Sequence, residues 1–160
     1  MKLVFDTEAN ELLLKVSKIH CFAAKDIETQ EIFTFPPNKL DEGLDLLASA
    51  EVLIGHNIIG YDLPTIRKLY NWSTSAEIVD TLIWSRILRP DRPMPKECPT
   101  SHNGKIIGPH SVEAWGYRVG RGKVEDQDWS IYTPEMMHRC VEDVEIQYLI
   151  YLSLLEEMKE

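Results

Sequence analysis

Positive charge is scarce in this sequence. Its 160 residues hold 17 Lys and Arg against 26 Asp and Glu, a formal net charge of −9. That balance argues against a general nucleic-acid coat, because phosphate binding leaves a basic footprint. Long apolar runs are missing too, and no stretch approaches the length of a membrane span. The opening MKLVFDTE has neither the apolar run nor the small-residue cleavage site of a signal peptide. Cysteine is limited to Cys21, Cys98 and Cys140. An odd number so widely spaced points to free thiols in a reducing compartment rather than to a disulfide framework. What is left is an ordinary globule, 44% apolar and 27% charged. It is long enough for one domain with a real core, expected to run over 1–160.

The scarce positive charge is unevenly spread. From Arg67 to Lys123 there are ten Lys or Arg and five acids, a local net of +5 that leaves −14 for the remainder. Such a middle can hold a polyanion locally; a solvated mixed-charge surface explains it as well.

Strand-like runs open the chain at KLVFDTE, at IHCFAAKD (19–26) and at QEIFTFP (30–36). Residues 38–50 carry apolar side chains at a helical spacing. EVLIGHN reads as a short buried strand, and YDLPTIRKLYNW as a helix starting close to Asp62, since Pro64 is tolerated only in a first turn. EIVDTLIWSRIL reads as strand then helix, with Asp80 as N-cap. Residues 89–109 hold five prolines and two glycines, a long loop or flap. HSVEAWGYRVG is a helix closed by Gly120, with Trp115 and Tyr117 expected in the core. Thr133 and Pro134 open a last helix whose apolar stripe runs Met137, Val141, Val144, Tyr148, Leu152, Leu155. Three antiparallel strands followed by alternating helix and strand give a mixed, five-stranded α/β sheet flanked by helices.

Asp6 and Glu8 are two apart on the first strand and so share a face. Side by side, two such charges repel, and a hard divalent ion such as Mg²⁺ or Mn²⁺ relieves the conflict. An acidic strand end facing water is the plainer alternative. Asp62 sits in a first helical turn, where the helix dipole favours the ionised form. Asp143 lies one residue from the buried stripe, where a carboxylate needs a partner, a metal or an arginine.

FDTEAN, GHNIIGYDLP, VDTLIWSR, HSVEAWGYRVG and TPEMMHRCVEDV, in that order, resemble the exonuclease domain of phage DNA polymerases. That domain belongs to the DnaQ-like (DEDD) 3′–5′ exonuclease superfamily. The resemblance implies a ribonuclease H-like fold and two-metal phosphodiester hydrolysis at the 3′ end of single-stranded DNA or RNA, DNA favoured. Asp6, Glu8, Asp62 and Asp143 would hold two Mg²⁺ or Mn²⁺ ions about 4 Å apart. It also implies a bacterial or phage-infected cytoplasm, no membrane, and a DNA polymerase or other replication protein as a partner. A non-catalytic module of the same fold, binding nucleic acid or a replication protein, is the alternative.

One branch of the superfamily takes its general base from a Tyr four residues before the last Asp; here that position is Arg139. The histidine branch uses a His five residues before it, here His138. Five residues turn an ideal helix about 140° from Asp143 and four only about 40°, so His138 as base requires a break or frayed start. With an unbroken helix Arg139 would share Asp143's face, pairing with it or holding a phosphate, and His138 would be exposed. By the same resemblance Ala9 and Leu12 bind the terminal 3′-OH and stack on the last base, and Asn57 contacts substrate near the scissile phosphate. Ordinary packing for Leu12 and a turn role for Asn57 are the alternatives. Cys98, His102 and His110 match no common zinc spacing.

Overall fold

A computed structural model describes residues 1–122 and 128–160; Lys123, the last cation of the basic middle, falls outside them. The strands are β1 (Lys2–Ala9), β2 (Ile19–Asp26), β3 (Ile32–Phe35), β4 (Val52–Gly55) and β5 (Glu77–Asp80). They form one five-stranded sheet in the order β3-β2-β1-β4-β5. β1, β2 and β3 pair antiparallel, and β4 and β5 run parallel to β1. The helices are α1 (Leu40–Ser49), α2 (Leu63–Leu69), α3 (Thr81–Leu88), α4 (Val112–Val119) and α5 (Pro134–Glu157). The architecture is the mixed α/β sheet flanked by helices expected from the sequence.

Alternation along β1 divides the core. Leu3 and Phe5 join the cluster with Phe22, Leu47, Leu53 and Ile66, on the side of α1 and α2. Val4 points the other way, toward Cys21, Cys140 and Val144 beneath α5. Asp6 and Glu8 continue the Val4 face, so the strand aims both carboxylates at α5. Gly43 lets α1 settle on the first face, since a Cβ there would lie 2.2 Å from Phe22 Cζ.

Three expectations need correction. α5 does not bury the stripe Met137–Val141–Val144–Tyr148–Leu152–Leu155. Its buried residues are Met136, Arg139, Cys140, Asp143, Val144, Ile146, Gln147, Ile150 and Leu154. The helix is covered by the sheet along Met136, Cys140 and Val144 and by Trp115 along Ile146, Ile150 and Leu154. That double cover rotates the buried arc and brings Asp143 onto it. The break expected near His138 is absent: α5 is helical from Pro134 onward, capped by Thr133 Oγ1 accepting from Met136 N at 3.2 Å. Tyr117 is 40% exposed rather than in the core, whereas Trp115 is buried.

The Pro-rich 89–109 segment is built rather than loose. Two short strands, β6 (Ser101–His102) and β7 (Lys105–Ile106), pair across an Asn103–Gly104 turn with both φ angles positive, the combination a tight hairpin needs. Arg92, buried at the root, pairs with Glu157 at 2.6 and 2.8 Å and stacks on Trp115, which Arg118 covers from a second side. Cys98, Ile107 and Ala114 form a small core under the hairpin.

Candidate active site

The site forms where the end of β1, the turn after β4 and the first half of α5 converge. A register shift between Glu8 and Ala9 bends β1 just past the acidic pair, a usual way to re-aim side chains at a strand end. Gln147 Nε2 donates to Asp6 Oδ1 at 2.9 Å, while its Oε1 accepts from His56 N at 3.0 Å. One buried amide thus ties the first and second motifs to α5. The Cys140 thiol donates to the Asp6 carbonyl at 3.2 Å. Thr7 donates to Asp62 Oδ1 from its N at 3.0 Å and from Oγ1 at 2.6 Å.

The electrostatics show how tightly the acids are gathered. Burial pushes Asp6 well above the usual carboxylate range, and the charges of Glu8, Asp143 and Asp62 push it further. Burial, then the Asp143 charge, raises Glu8 to about 9, against an opposing pull from the Arg139 guanidinium. Asp62 is raised to about 6. The net shift is upward, against the pull expected from a helix start, although a carboxyl at about 6 is still largely ionised at neutral pH. A wide π-type turn, Ile58–Asp62, precedes α2, so Asp62 lies inside a helical run and its burial outweighs the dipole. Among the described residues, one group of three side chains brings metal-ligand atoms together: those of Asp6, Glu8 and Cys140 all lie within 4.8 Å of one another. Cys98, His102 and His110 form no such group. The thiol beside Asp6 was not foreseen from the sequence.

Arg139 is 2% exposed and stacks on Trp129, 4.7 Å from the ring centroid. His138 is exposed. Both follow from the unbroken helix, as the alternative geometry required. Ala9 is buried, whereas Leu12 is 74% exposed and borders a shallow cleft with Asn57 and Tyr61. Leu12 is thus no packing residue. Asn57 is left-handed (φ +63°) and exposed.

Asp80 caps α3 through Leu82 N, as expected, and also accepts from Asn57 N at 2.8 Å and Ile59 N at 3.0 Å. It therefore shapes the second-motif turn. His56 Nε2 donates to the His110 carbonyl at 2.6 Å, and burial lowers its pKa to about 4, so it serves as a neutral strut. Gln147 was missed from sequence. The available signal was its place four residues after Asp143, a polar side chain on a face shared with Val144.

Curated relatives of the chain include phage DNA polymerases. The chain is 30% identical to the DNA-directed DNA polymerase of Escherichia phage T7 and 31% identical to that of Enterobacteria phage T3. Each match covers 97% of this chain and 27% of the relative, so the chain spans about a quarter of the length of these polymerases. Among solved structures, Brucella melitensis NrnC with bound Mg²⁺ superposes with a TM-score of 0.66 at 13% identity, over 99% of this chain and 73% of that one. Escherichia coli RNase D, an exoribonuclease, gives 0.65 at 15% identity, over 99% and 40%. The chain is similar over nearly its whole length to part of these polymerases, and it shares the fold of the DnaQ-like exonuclease superfamily. Its sheet is the ribonuclease H-like sheet of that superfamily. No family model matches the chain.

Proposed function

We propose that this DnaQ-like chain is a metal-dependent 3′–5′ exonuclease that releases nucleoside monophosphates from single-stranded ends, with DNA favoured and RNA a lesser substrate. One observation carries the reading: the carboxylates of Asp6 and Glu8 come within 4.8 Å of one another beside Cys140, and the charges of Asp143 and Asp62, from two other elements, act on Asp6. Buried carboxylates in mutual repulsion are costly alone and suit divalent cations. The residues present therefore fit the ions that the superfamily implies. Asp6, Glu8, Asp62 and Asp143 would hold them. Bound, such ions supply an activated water and stabilise the leaving 3′ oxygen.

The rest falls to the chain itself. Gln147 and Thr7 fix the carboxylates, so that ligands need not reorganise during reaction. Ala9 and Leu12, at the bend of β1 and on the cleft beyond it, take the terminal nucleotide. Asn57, presented by Asp80, faces the scissile phosphate, and Arg139 offers a cation beside Glu8. His138 remains the candidate general base. Pro134, Glu135 and His138 are exposed, but the same turn buries Met136, so bringing the imidazole inward requires a rearrangement that keeps Met136 in the core. The phage polymerase relatives support a place beside a polymerase, as an associated or linked unit extending over 1–160.

A second reading is favoured by Arg139: a cation built in beside Glu8, where a tyrosine-branch enzyme has its base, suits a module that binds strands without cutting them. Replacing Asp6 or Asp143 with Ala separates the two. The enzyme reading expects metal-dependent monophosphate release to disappear, as measured by product chromatography. Strand binding by the unmodified chain with no release in Mg²⁺ or Mn²⁺ sustains the module instead.

A further inference from the structure

Asn57 borders two clefts. The shallow one, of about 570 Å³, runs over 11–15 beside Gly60 and Tyr61. A larger one, of about 1130 Å³, opens on its other side beneath the β6–β7 hairpin. We infer that this second cleft holds the nucleotides upstream of the cleaved bond, so that the chain acts on strands several nucleotides long in preference to dinucleotides. The inference rests on the exonuclease reading and assigns that site its substrate length.

Size is the first argument. Pockets that hold a drug-sized ligand, comparable to one mononucleotide, span roughly 300–1,000 Å³, and this cleft, at about 1130 Å³, lies above that range. Charge is the second. Arg86 and Lys105 are exposed on its wall, and neither has an ion-pair partner among the described residues. Among those residues the only acid lining it is Glu113, which lies 3.4 Å from His102. In a chain of net charge −9, two unpaired cations lining one cleft, one from α3 and one from the hairpin, are suited to phosphates. The third argument is exposure: Tyr117, 40% exposed, and Ile106, 90% exposed, line the same cleft and offer it an aromatic and an apolar surface. Cations that share a groove with an exposed aromatic side chain suit a single strand. The Arg92–Glu157 pair and the small core around Cys98 hold the hairpin's root, so the wall is formed before substrate arrives and less ordering is needed on binding.

The test compares the affinities of 5′-fluorescein dinucleotide and long oligothymidylate by anisotropy, in EDTA to prevent turnover. The double variant Arg86→Glu/Lys105→Glu should lose about tenfold on the long strand and nothing on the dinucleotide. Tyr117→Ala should weaken the long strand about fivefold with no change of charge. Lys159→Glu, exposed and outside the lining of both clefts, should bind as the unmodified chain does. Unchanged long-strand affinity in the cleft variants, an equal loss on the dinucleotide, or an equal loss in Lys159→Glu would each overturn the assignment. Failure of the exonuclease reading is separately visible, as absence of Mn²⁺-dependent cleavage by the unmodified chain.

Discussion

Arg139 stands where one branch of the superfamily has its tyrosine, and it is as buried as the core around it. On the proposed reading, two neighbouring residues divide a role that the resemblance gives to one. On our account His138 moves the proton and Arg139 offsets charge. His138→Ala should slow turnover about a hundredfold or more with little change in strand affinity, as single-turnover kinetics would register. Unchanged turnover would leave proton removal to solvent. Arg139→Gln should tighten Mn²⁺ binding in titration calorimetry, because an opposing cation beside Glu8 is gone, and should raise KM. Weaker Mn²⁺ binding would contradict the charge-offsetting role. Both residues were legible in the sequence as alternatives, and only the continuity of α5 ranks their geometry. Gln147 was legible only as a polar side chain on the face of Asp143 and Val144, since a glutamine on a helix ordinarily faces water and the sequence does not show its two buried partners.

At the level of elements, the periodic pattern recovered every strand of the main sheet and all five helices, because caps and prolines mark their ends: Thr133 with Pro134, Asp80, Gly120. It failed on the face of α5. Apolar residues there occupy two overlapping arcs, and which arc is buried depends on what covers the helix from the side, here α4 with Trp115. The hairpin within 89–109 escaped for a related reason. Its strands are two residues each, too short for a period, and its stability comes from Arg92 at its root. Arg92→Ala should loosen it, leaving Glu157 and Trp115 without their partner. Limited proteolysis should then cut within 93–109 while circular dichroism keeps the sheet and helices. Resistance equal to that of the unmodified chain would show the hairpin to be held by its small core alone.

Across the whole molecule, the shortage of positive charge belongs with the site. Raised pKa values mean that the folded chain without metal holds protons that the unfolded chain would release. The contribution of Asp62 to stability is therefore complete below about 3.8 and fades as pH rises through about 6. That of Glu8 is complete below about 4.5 and fades toward about 9. The melting temperature in EDTA should accordingly fall as pH rises across this window. The increment given by saturating Mg²⁺ should widen, because the ion binds the deprotonated acids. An increment independent of pH would mean that Mg²⁺ binds elsewhere.

The most direct measurement follows a 5′-labelled single-stranded DNA through time in Mn²⁺, with and without EDTA, beside Asp143→Asn. Our account predicts a ladder shortening one nucleotide at a time from the 3′ end, abolished by EDTA and by the variant. Internal cuts, immediate loss of the labelled 5′ residue, or a strand left whole would contradict it.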